Sequence, residues 1–357
     1  MKIAQVAPLT EAVPPKLYGG TERIVAYLTD ALVDAGHEVT LFASGDSRTK
    51  AVLEPIVPQA LRLDPAVKDP YACLFLMLER VRRRAAEFDV IHWHIDYFGY
   101  SLIRMLRTPS ITTLHGRLDL PELQPLYEVF DDIPVVSISN AQRKPLPAAH
   151  FVETIHHGLP ATLLPAGPGD GCYLAFLGRI SPEKAPDAAI RIAAMAGMKL
   201  KIAAKVDRVD EAYFNDEIKP LLAHPHVEFI GEICESEKAG FLGDAAGLVF
   251  PIAWPEPFGL VMIEAMACGT PVIALRNGSV PEIVEHGVTG FVVDDEVDAA
   301  RCAQRIADLD RARSRVEFER RFSATRMAQD YVGLYRRLGQ GGTSAWHEVA
   351  MPAAVAA

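Results

Sequence analysis

The sequence predicts an α/β protein with two domains, each built on a parallel β-sheet covered by helices. Short apolar runs typical of buried strands alternate with helical segments along the whole chain, which favours parallel sheets with crossover helices. A length of 357 residues suits two domains, and a hydrophobic content of 50% is enough for two cores. The proline- and glycine-rich stretch at residues 159–171 is predicted to be the hinge between them.

The first domain is predicted to span residues 1–160 and to begin with a strand at residues 2–7. A helix is expected from about Thr21, where apolar residues recur at helical spacing, and Gly36 is expected to end it. Further strand-like runs in this domain lie at residues 37–43, 90–95, 110–115, 135–139 and 151–156.

The second domain is predicted to span residues 170–320 and to repeat the same alternation. A last helix is expected at about 323–338, after which the chain becomes rich in small residues. The strand-like runs of this domain lie at residues 173–177, 199–206, 227–230, 248–252, 272–275 and 291–293.

The composition excludes several broad classes of protein. A net charge of −10 and a pI of about 5.6 argue against a nucleic-acid partner. No apolar run approaches the roughly 20 residues of a membrane span, and the N-terminus reads as a strand rather than a signal peptide. The five cysteines have no metal-ligand spacing, which favours reduced thiols. We therefore expect a cytoplasmic protein without a transmembrane segment.

The most informative stretch of the chain is Pro255 to Pro271, in which Glu256 and Glu264 stand with seven residues between them. A helix is predicted to begin near Gly259 and Leu260, after a buried strand and a loop. The free amides and dipole of a helix start favour an anion such as phosphate. Two carboxylates would repel a phosphate, so their presence is explained if they bind neutral hydroxyl groups attached to it. A nucleotide sugar has such hydroxyl groups. In the alternative interpretation one glutamate caps a turn and the other is solvated.

Together with the later string Gly278-Ser-Val-Pro-Glu, this Glu-x7-Glu pattern resembles the signature of the family 4 retaining glycosyltransferases. The resemblance implies the GT-B fold, in which two Rossmann-like domains face each other across a cleft. It also implies transfer of a hexose from a nucleoside-diphosphate sugar, with UDP-glucose as the first choice, to an acceptor hydroxyl. By the same resemblance residues 1–160 bind the acceptor, residues 170–320 bind the donor, and the last helix crosses back onto the first domain.

A second cluster of charged residues follows the first strand of the second domain. Arg179 and Lys184 are predicted to supply two positive charges to a diphosphate. These charges and the helix amides would do the work of a divalent metal, so we expect a metal-independent enzyme with no cofactor. Ala185 stands where the family pattern has glycine. Lys205 is interpreted equally well as a phosphate contact or as a solvated residue.

The resemblance assigns further roles around the donor. Glu264 is expected to hold the ribose hydroxyls and Glu256 the donor sugar. The other residues expected to bind substrate in the second domain are Pro257, Phe258, Gly259 and Leu260 in the loop and helix start, with Gly231 and Ile233 beside the base.

Three features of the first domain are candidates for the same site. Gly19 and Gly20 allow the backbone to approach a ligand closely after the first strand. His115 follows a strand and can donate to a sugar hydroxyl; in the resembling family a histidine here lies near the donor sugar. His92 and His94 fall on one face of a strand, so they are either a metal pair without a third ligand or residues that line the crevice.

Other interpretations stay open at the level of sequence. An NAD-dependent oxidoreductase is disfavoured because the chain lacks Gly-x-Gly-x-x-Gly. A sugar-nucleotide epimerase and a non-catalytic nucleotide-sugar sensor would share the architecture. His157 departs from the family pattern and receives no role. Four arginines at positions 80 and 82–84 could meet an acidic membrane surface, although a solvated helix end is the preferred interpretation.

Overall fold

The structure, a computed structural model, describes residues 1–16 and 19–340. These residues form two compact units. Among the described residues, unit 1 comprises those within Met1–Ile138, Arg143–Ile155 and Met327–Gln340, and unit 2 comprises Ser139–Gln142 and His156–Arg326. The first unit is therefore discontinuous in sequence, because the chain returns to it after completing the second.

Unit 1 contains a seven-stranded parallel sheet in the order β3-β2-β1-β4-β5-β6-β7. The central strands are almost wholly buried, including polar residues such as Gln5, His92 and Thr112, as expected for a parallel sheet covered on both faces. The strands are β1 Lys2–Val6, β2 Glu38–Ser44, β3 Val52–Val57, β4 Val90–Trp93, β5 Ser110–Thr113, β6 Val135–Ser137 and β7 Phe151–Thr154.

Unit 2 contains a six-stranded parallel sheet in the order β10-β9-β8-β11-β12-β13. This is the doubly wound strand order, in which the direction of winding reverses between the first and fourth strands of the unit. The strands are β8 Tyr173–Ile180, β9 Lys199–Val206, β10 Val227–Gly231, β11 Gly247–Phe250, β12 Val272–Leu275 and β13 Gly290–Val293.

Helices connect these strands. In the first half of the chain they are α1 Gly20–Asp34, α2 Pro70–Arg84, α3 Tyr100–Ile103, α4 Leu123–Val129 and α5 Asn140–Arg143. In the second half they are α6 Pro186–Ala196, α7 Glu211–Tyr213, α8 Lys219–Leu221, α9 Glu235–Gly243, α10 Leu260–Ala267, α11 Val280–Ile283, α12 Glu296–Gln304, α13 Arg311–Phe322 and α14 Ala324–Gln340.

The last helix, α14, leaves unit 2 and packs on the sheet of unit 1 from Met327 onward. Its Tyr331 and Tyr335 are each only 2% exposed. The Tyr335 hydroxyl lies 2.7 Å from His92 Nδ1, and the Tyr331 hydroxyl lies 2.8 Å from Thr113 Oγ1. The helix is thus anchored to β4 and β5 by buried hydrogen bonds as well as by apolar packing.

The prediction of a hinge at residues 159–171 is wrong. Leu159 N donates to Phe322 O at 2.9 Å, and Gly167 N donates to Cys268 O at 3.0 Å, so the stretch is bound along unit 2. A Cβ on Gly167 would collide with the backbone of Gly243. The glycines that suggested a flexible linker are needed because two backbones approach closely there.

One strand of unit 1 has no counterpart among the predicted strands, whereas the start of the first helix agrees with its prediction. Strand β3 was not predicted, because Glu54 and Pro55 interrupt its apolar pattern; it lies at the edge of the sheet, where proline is tolerated. Helix α1 begins at Gly20, in agreement with the predicted start at about Thr21, and Gly19 occupies the N-cap without a side-chain capping bond.

Candidate active site

The reversal point of the sheet in unit 2 lies between β8 and β11. Ligands of doubly wound sheets bind outside the carboxyl ends of the strands at such a point. Arg179 lies at the end of β8, Lys184 lies in the turn that follows, and the chain that leaves β11 carries Glu256. The two loops are joined by a bond from Ala253 N to Glu183 O of 2.9 Å.

Glu256 is held by two donors from these loops. Lys184 Nζ lies 2.6 Å from Glu256 Oε2, and Trp254 Nε1 donates to the same oxygen at 2.8 Å. The Glu256 side chain is 12% exposed and the Lys184 side chain 22%. Lys184, which is predicted to contact phosphate, and Glu256, which is predicted to bind the sugar, therefore form an ion pair at the carboxyl edge of the sheet.

Lys184 ends a short 3-10 turn, Pro182–Lys184, and Ala185 follows it in the left-handed conformation with φ 49° and ψ 55°. This is the backbone region that glycine adopts without strain. The alanine that departs from the family pattern thus keeps the backbone conformation that a glycine would supply.

Arg179 is surrounded by acidic side chains. Carboxylates from three residues lie 3.7–3.8 Å from its guanidinium, and Lys205 Nζ lies 2.8 Å from one of them, Asp207. Arg179 Nε and Asp210 Oδ2 are buried and have no hydrogen-bond partner among the described residues. The predicted cation is present at the strand end, but Glu183, Asp207 and Asp210 compensate its charge.

Gly259 shapes the start of α10, as the sequence predicts. It is the N-cap residue with φ 79° and ψ 71°, and no side chain caps the first amides of the helix. A Cβ here would come within 2.7 Å of Met262 Cε and 3.2 Å of Phe250 Cζ. Glycine is required for both the positive φ and the close approach, and the helix amides at Leu260 remain available to an anion.

The loop from Pro255 to Gly259 is fixed from behind by hydrogen bonds to its carbonyls. Ser279 N donates to Glu256 O at 2.9 Å, and Ser279 Oγ donates to Phe258 O at 2.8 Å. Ser139 Oγ donates to Pro257 O at 2.6 Å. The Gly278-Ser279 string is therefore a support for the loop that carries Glu256.

Glu264 lies one helix turn into α10 and is 4% exposed, which rejects the interpretation of a solvated helix residue. Lys238 Nζ, from α9, lies 2.7 Å from Glu264 Oε1 and 3.3 Å from Glu235 Oε2. A buried carboxylate needs such a partner because its desolvation is costly. Lys238 was not predicted, since a single lysine on a polar helix carries no pattern.

Gly231 and Ile233 lie at the carboxyl end of β10, two strands from β8. Gly231 has φ 77°, and no atom lies within 4 Å of a Cβ built on it. Ile233 is half-buried in the turn that leads to α9. These two residues share the carboxyl edge of the sheet with the glutamates but make no described contact with them.

The candidates in unit 1 gather at the carboxyl ends of β1, β4 and β5. His115 is half-buried after β5, and His94 Nδ1 lies 2.9 Å from its Nε2. Burial lowers the pKa of His115 to about 3, so the ring is neutral near pH 7. Gly19 and Gly20 form the start of α1, whereas Leu17 and Tyr18 of the predicted glycine loop lie outside the described residues.

His92 and His94 share one strand face, with ring centroids 4.0 Å apart, as the alternation predicts. His92 lies 2.7 Å from both Tyr335 OH and Thr113 Oγ1, and burial holds its pKa well below the usual range. Within residues 1–16 and 19–340 no group of three histidine, cysteine or acidic side chains is arranged to hold a metal ion. The pair is part of a hydrogen-bond network in unit 1.

Two remaining features of the sequence, His157 and the four arginines of α2, make contacts that favour structural roles. His157 is 4% exposed and packs on Phe258, with ring centroids 4.8 Å apart. The four arginines at the end of α2 each pair with a glutamate at 3.1 Å or less, which agrees with the preferred interpretation of a solvated helix end. In the described part of the chain no helix has both the length and the apolar character to cross a membrane.

Comparison with known proteins identifies two regions of the chain. Residues 18–161 match the sequence model described as Glycosyltransferase Family 4, and residues 166–324 match Glycosyl transferases group 1. The D-inositol 3-phosphate glycosyltransferase of Mycolicibacterium smegmatis is 26% identical over 89% of this chain and 86% of its own length.

Solved structures agree with this result. AviGT4, a glycosyltransferase involved in avilamycin A biosynthesis, is similar with a TM-score of 0.73 and 26% identity, over 96% of this chain and 99% of its own. Anabaena Alr3699/HepE in complex with UDP and glucose is similar with a TM-score of 0.72 and 20% identity, over 94% and 99% of the two chains. These similarities confirm the predicted α/β class with two Rossmann-like domains of the GT-B type.

Proposed function

We propose that this chain is a family 4 glycosyltransferase and, more specifically, a retaining hexosyltransferase that uses a nucleoside-diphosphate sugar. The observation that carries the proposal is the pair of lysine-held glutamates, Glu256 and Glu264, on either side of an uncapped helix start at the reversal point of unit 2. UDP-glucose is the first donor to test, and the acceptor supplies a hydroxyl group.

The diphosphate is proposed to lie on the first amides of α10 and beside Arg179. The amides after Gly259 have no side-chain cap, and Arg179 Nε is a buried donor with no described hydrogen-bond partner. Both are arrangements that favour an anion. Three carboxylates compensate the positive charge of Arg179 in this structure, so a bound diphosphate has to displace them from the guanidinium.

The two glutamates are proposed to hold hydroxyls on opposite sides of the diphosphate. Glu264 binds the ribose through the carboxylate that Lys238 holds, and Glu256 binds the donor sugar through the carboxylate that Lys184 and Trp254 hold. A carboxylate fixed by charged donors keeps its position when a neutral hydroxyl binds. His115 of unit 1 is proposed as a further contact of the donor sugar.

The protein groups stabilise the charge that develops on the departing diphosphate. Arg179, Lys184 and the α10 amides are fixed before the reaction, so they need little reorganisation. No side-chain carboxylate is proposed as a nucleophile; the acceptor attacks on the side of the leaving group, whose phosphate oxygen takes the proton. The enzyme is proposed to work without a metal ion or another cofactor.

The comparisons support this assignment at the level of the donor. The Anabaena structure was solved with UDP and glucose, and the mycolicibacterial relative is named a D-inositol 3-phosphate glycosyltransferase. AviGT4 is involved in avilamycin A biosynthesis, so the named relatives do not point to one common acceptor. We therefore propose the donor class from the site and leave the acceptor as a hydroxyl compound.

A thermal-shift screen of nucleoside diphosphates and their sugars tests the proposal. A ligand at 100 times its Kd stabilises the fold by about 2.7 kcal/mol. We expect a nucleoside diphosphate to raise the unfolding temperature and the matching sugar nucleotide to raise it further. Stabilisation by NAD but by no nucleoside diphosphate would contradict the proposal and favour an oxidoreductase.

A further inference from the structure

A buried chain of hydrogen bonds lies beneath His115 in unit 1. Gln5, in the middle of β1, is fully buried, and its Oε1 lies 2.7 Å from His94 Nε2. The other nitrogen of His94, Nδ1, lies 2.9 Å from His115 Nε2. A side chain in the first strand of the protein is thus connected to His115 through a single imidazole.

The amide of Gln5 gives this chain a direction. Its oxygen can only accept, so His94 Nε2 carries a hydrogen and donates. His94 is 2% exposed and its two ring nitrogens bond uncharged groups, the Gln5 amide oxygen and the His115 imidazole, so burial favours the neutral form of the ring. A neutral His94 then has a lone pair on Nδ1, and His115 Nε2 must donate to it. The proton of the His115 ring is therefore on Nε2.

The other half of the amide is fixed by helix α14. Gln5 Nε2 donates to the Tyr335 hydroxyl at 3.3 Å, and that hydroxyl is 2.7 Å from His92 Nδ1. The Tyr335 oxygen accepts from Gln5, so the hydroxyl can give its own hydrogen to His92 Nδ1. In that arrangement a neutral His92 carries its hydrogen on Nε2 and donates to Thr113 Oγ1 at 2.7 Å. Reversal of the Gln5 amide would reverse every bond in this series, so the tautomers are set together.

We propose that Gln5, acting through His94 and oriented by Tyr335, is a positioning residue that keeps His115 in the tautomer with its proton on Nε2. The structural part concerns unit 1 alone, and its importance for transfer rests on the proposed function. It changes the expectation for His115. Nδ1 carries a lone pair, so a sugar hydroxyl that reaches it must donate its hydrogen, whereas the sequence suggested that His115 donates.

The tautomer can be read directly from the nitrogen NMR shifts of the full-length protein labelled with ¹⁵N-histidine, with His115→Gln used for assignment. We expect wild-type His115 to be protonated on Nε2 and not on Nδ1. Gln5→Met removes both polar groups of the amide, so the two ¹⁵N shifts of His115 should move toward each other as the second tautomer becomes populated.

Donor hydrolysis and nucleotide binding are measured on the same samples. In Gln5→Met we expect hydrolysis of the sugar nucleotide to fall about two- to tenfold, because only part of the population keeps the competent tautomer. Affinity for the nucleoside diphosphate, which is assigned to unit 2, should not change. If Gln5→Met does not fold, Tyr335→Phe removes the hydroxyl that orients the amide and should move the shifts in the same direction.

Tyr331→Phe is the matched control. It removes a hydroxyl from the same helix, but the bond described for that hydroxyl is to Thr113, at the far end of the series. The shifts of His115 should stay as in the wild type.

A wild-type His115 protonated on Nδ1, or unchanged shifts in Gln5→Met, would overturn the proposal. A changed tautomer with unchanged hydrolysis would overturn its catalytic part. If the wild type hydrolyses no donor at all, the proposed function fails while the shifts still decide the role of Gln5.

Discussion

Lys184 Nζ lies 2.6 Å from Glu256 Oε2, and Lys238 Nζ lies 2.7 Å from Glu264 Oε1. Each glutamate of the Glu-x7-Glu pattern therefore forms an ion pair with a lysine from another loop or helix. Because each lysine occupies one oxygen of its glutamate, the pairs fix the carboxylates in position before any ligand arrives.

Replacement of the two glutamates should have different effects on nucleotide binding and on sugar transfer. Glu264→Gln should weaken binding of the free nucleotide, since the ribose is assigned to it. Glu256→Gln should leave nucleotide binding nearly unchanged and lower sugar transfer or donor hydrolysis. Calorimetry and a turnover assay on both variants check this, with Lys238→Met expected to follow Glu264→Gln. Lys184→Met should lower turnover and, because Lys184 is also assigned to the diphosphate, should weaken nucleoside diphosphate binding as well. Equal effects of the two glutamate variants in both assays would exclude the division of roles.

Arg179→Ala should weaken binding of a nucleoside diphosphate by about 1.5–3 kcal/mol, or about 10- to 150-fold in Kd, the usual value for a hydrogen bond to a charged group. Binding of the monophosphate should change much less. Arg191→Ala is the control, because Arg191 pairs with Asp187 and Glu296 on the surface of the same unit. Equal losses for both nucleotides in calorimetry would show that Arg179 does not bind the diphosphate.

Gly278→Ala should destabilise the protein more than Gly287→Ala. Both glycines have positive φ, 52° and 79°, so alanine at either costs about 1–2 kcal/mol. A Cβ on Gly278 would also collide with the backbone of Glu256, whereas no atom lies within 4 Å of one on Gly287. Urea unfolding measures both, and Gly278→Ala alone should reduce turnover. Equal stability losses would mean that the Glu256 loop relaxes without cost.

Turnover should continue in excess EDTA. Arg179, Lys184 and the helix amides are proposed to neutralise the departing diphosphate in place of a metal ion. The assay compares donor hydrolysis with and without EDTA and then with added magnesium or manganese. Loss of activity in EDTA that either metal restores would refute this mechanism and favour the interpretation of His92 and His94 as a metal pair.

The sequence predicted the strands and the Glu256 loop well because their signals are local. The runs Lys199–Val206 and Val272–Leu275 were predicted with the bounds observed for β9 and β12, and Gly259 marked the start of α10. The partners of the candidate residues could not be predicted in the same way. Lys238 reaches Glu264 from another helix, and three carboxylates from different positions surround Arg179, so both depend on the tertiary fold.

The wrong prediction of a hinge has a related cause. Proline and glycine mark flexible linkers and also places where backbones meet closely, and residues 159–171 are of the second kind. Likewise, the alternation of His92 and His94 placed both rings on one face but could not name Gln5, Thr113 and Tyr335 as their partners.

Cleavage of a sugar nucleotide with retention at the anomeric carbon can be followed by real-time proton NMR of the purified enzyme with a panel of α-linked sugar nucleotides. We expect one donor to be converted to nucleoside diphosphate and free sugar, with the α-anomer appearing before the β-anomer. Glu256→Gln should slow this conversion while the nucleotide still binds. Release of the β-anomer first would contradict retention, and binding of the panel without any release of sugar would contradict the assignment as a transferase.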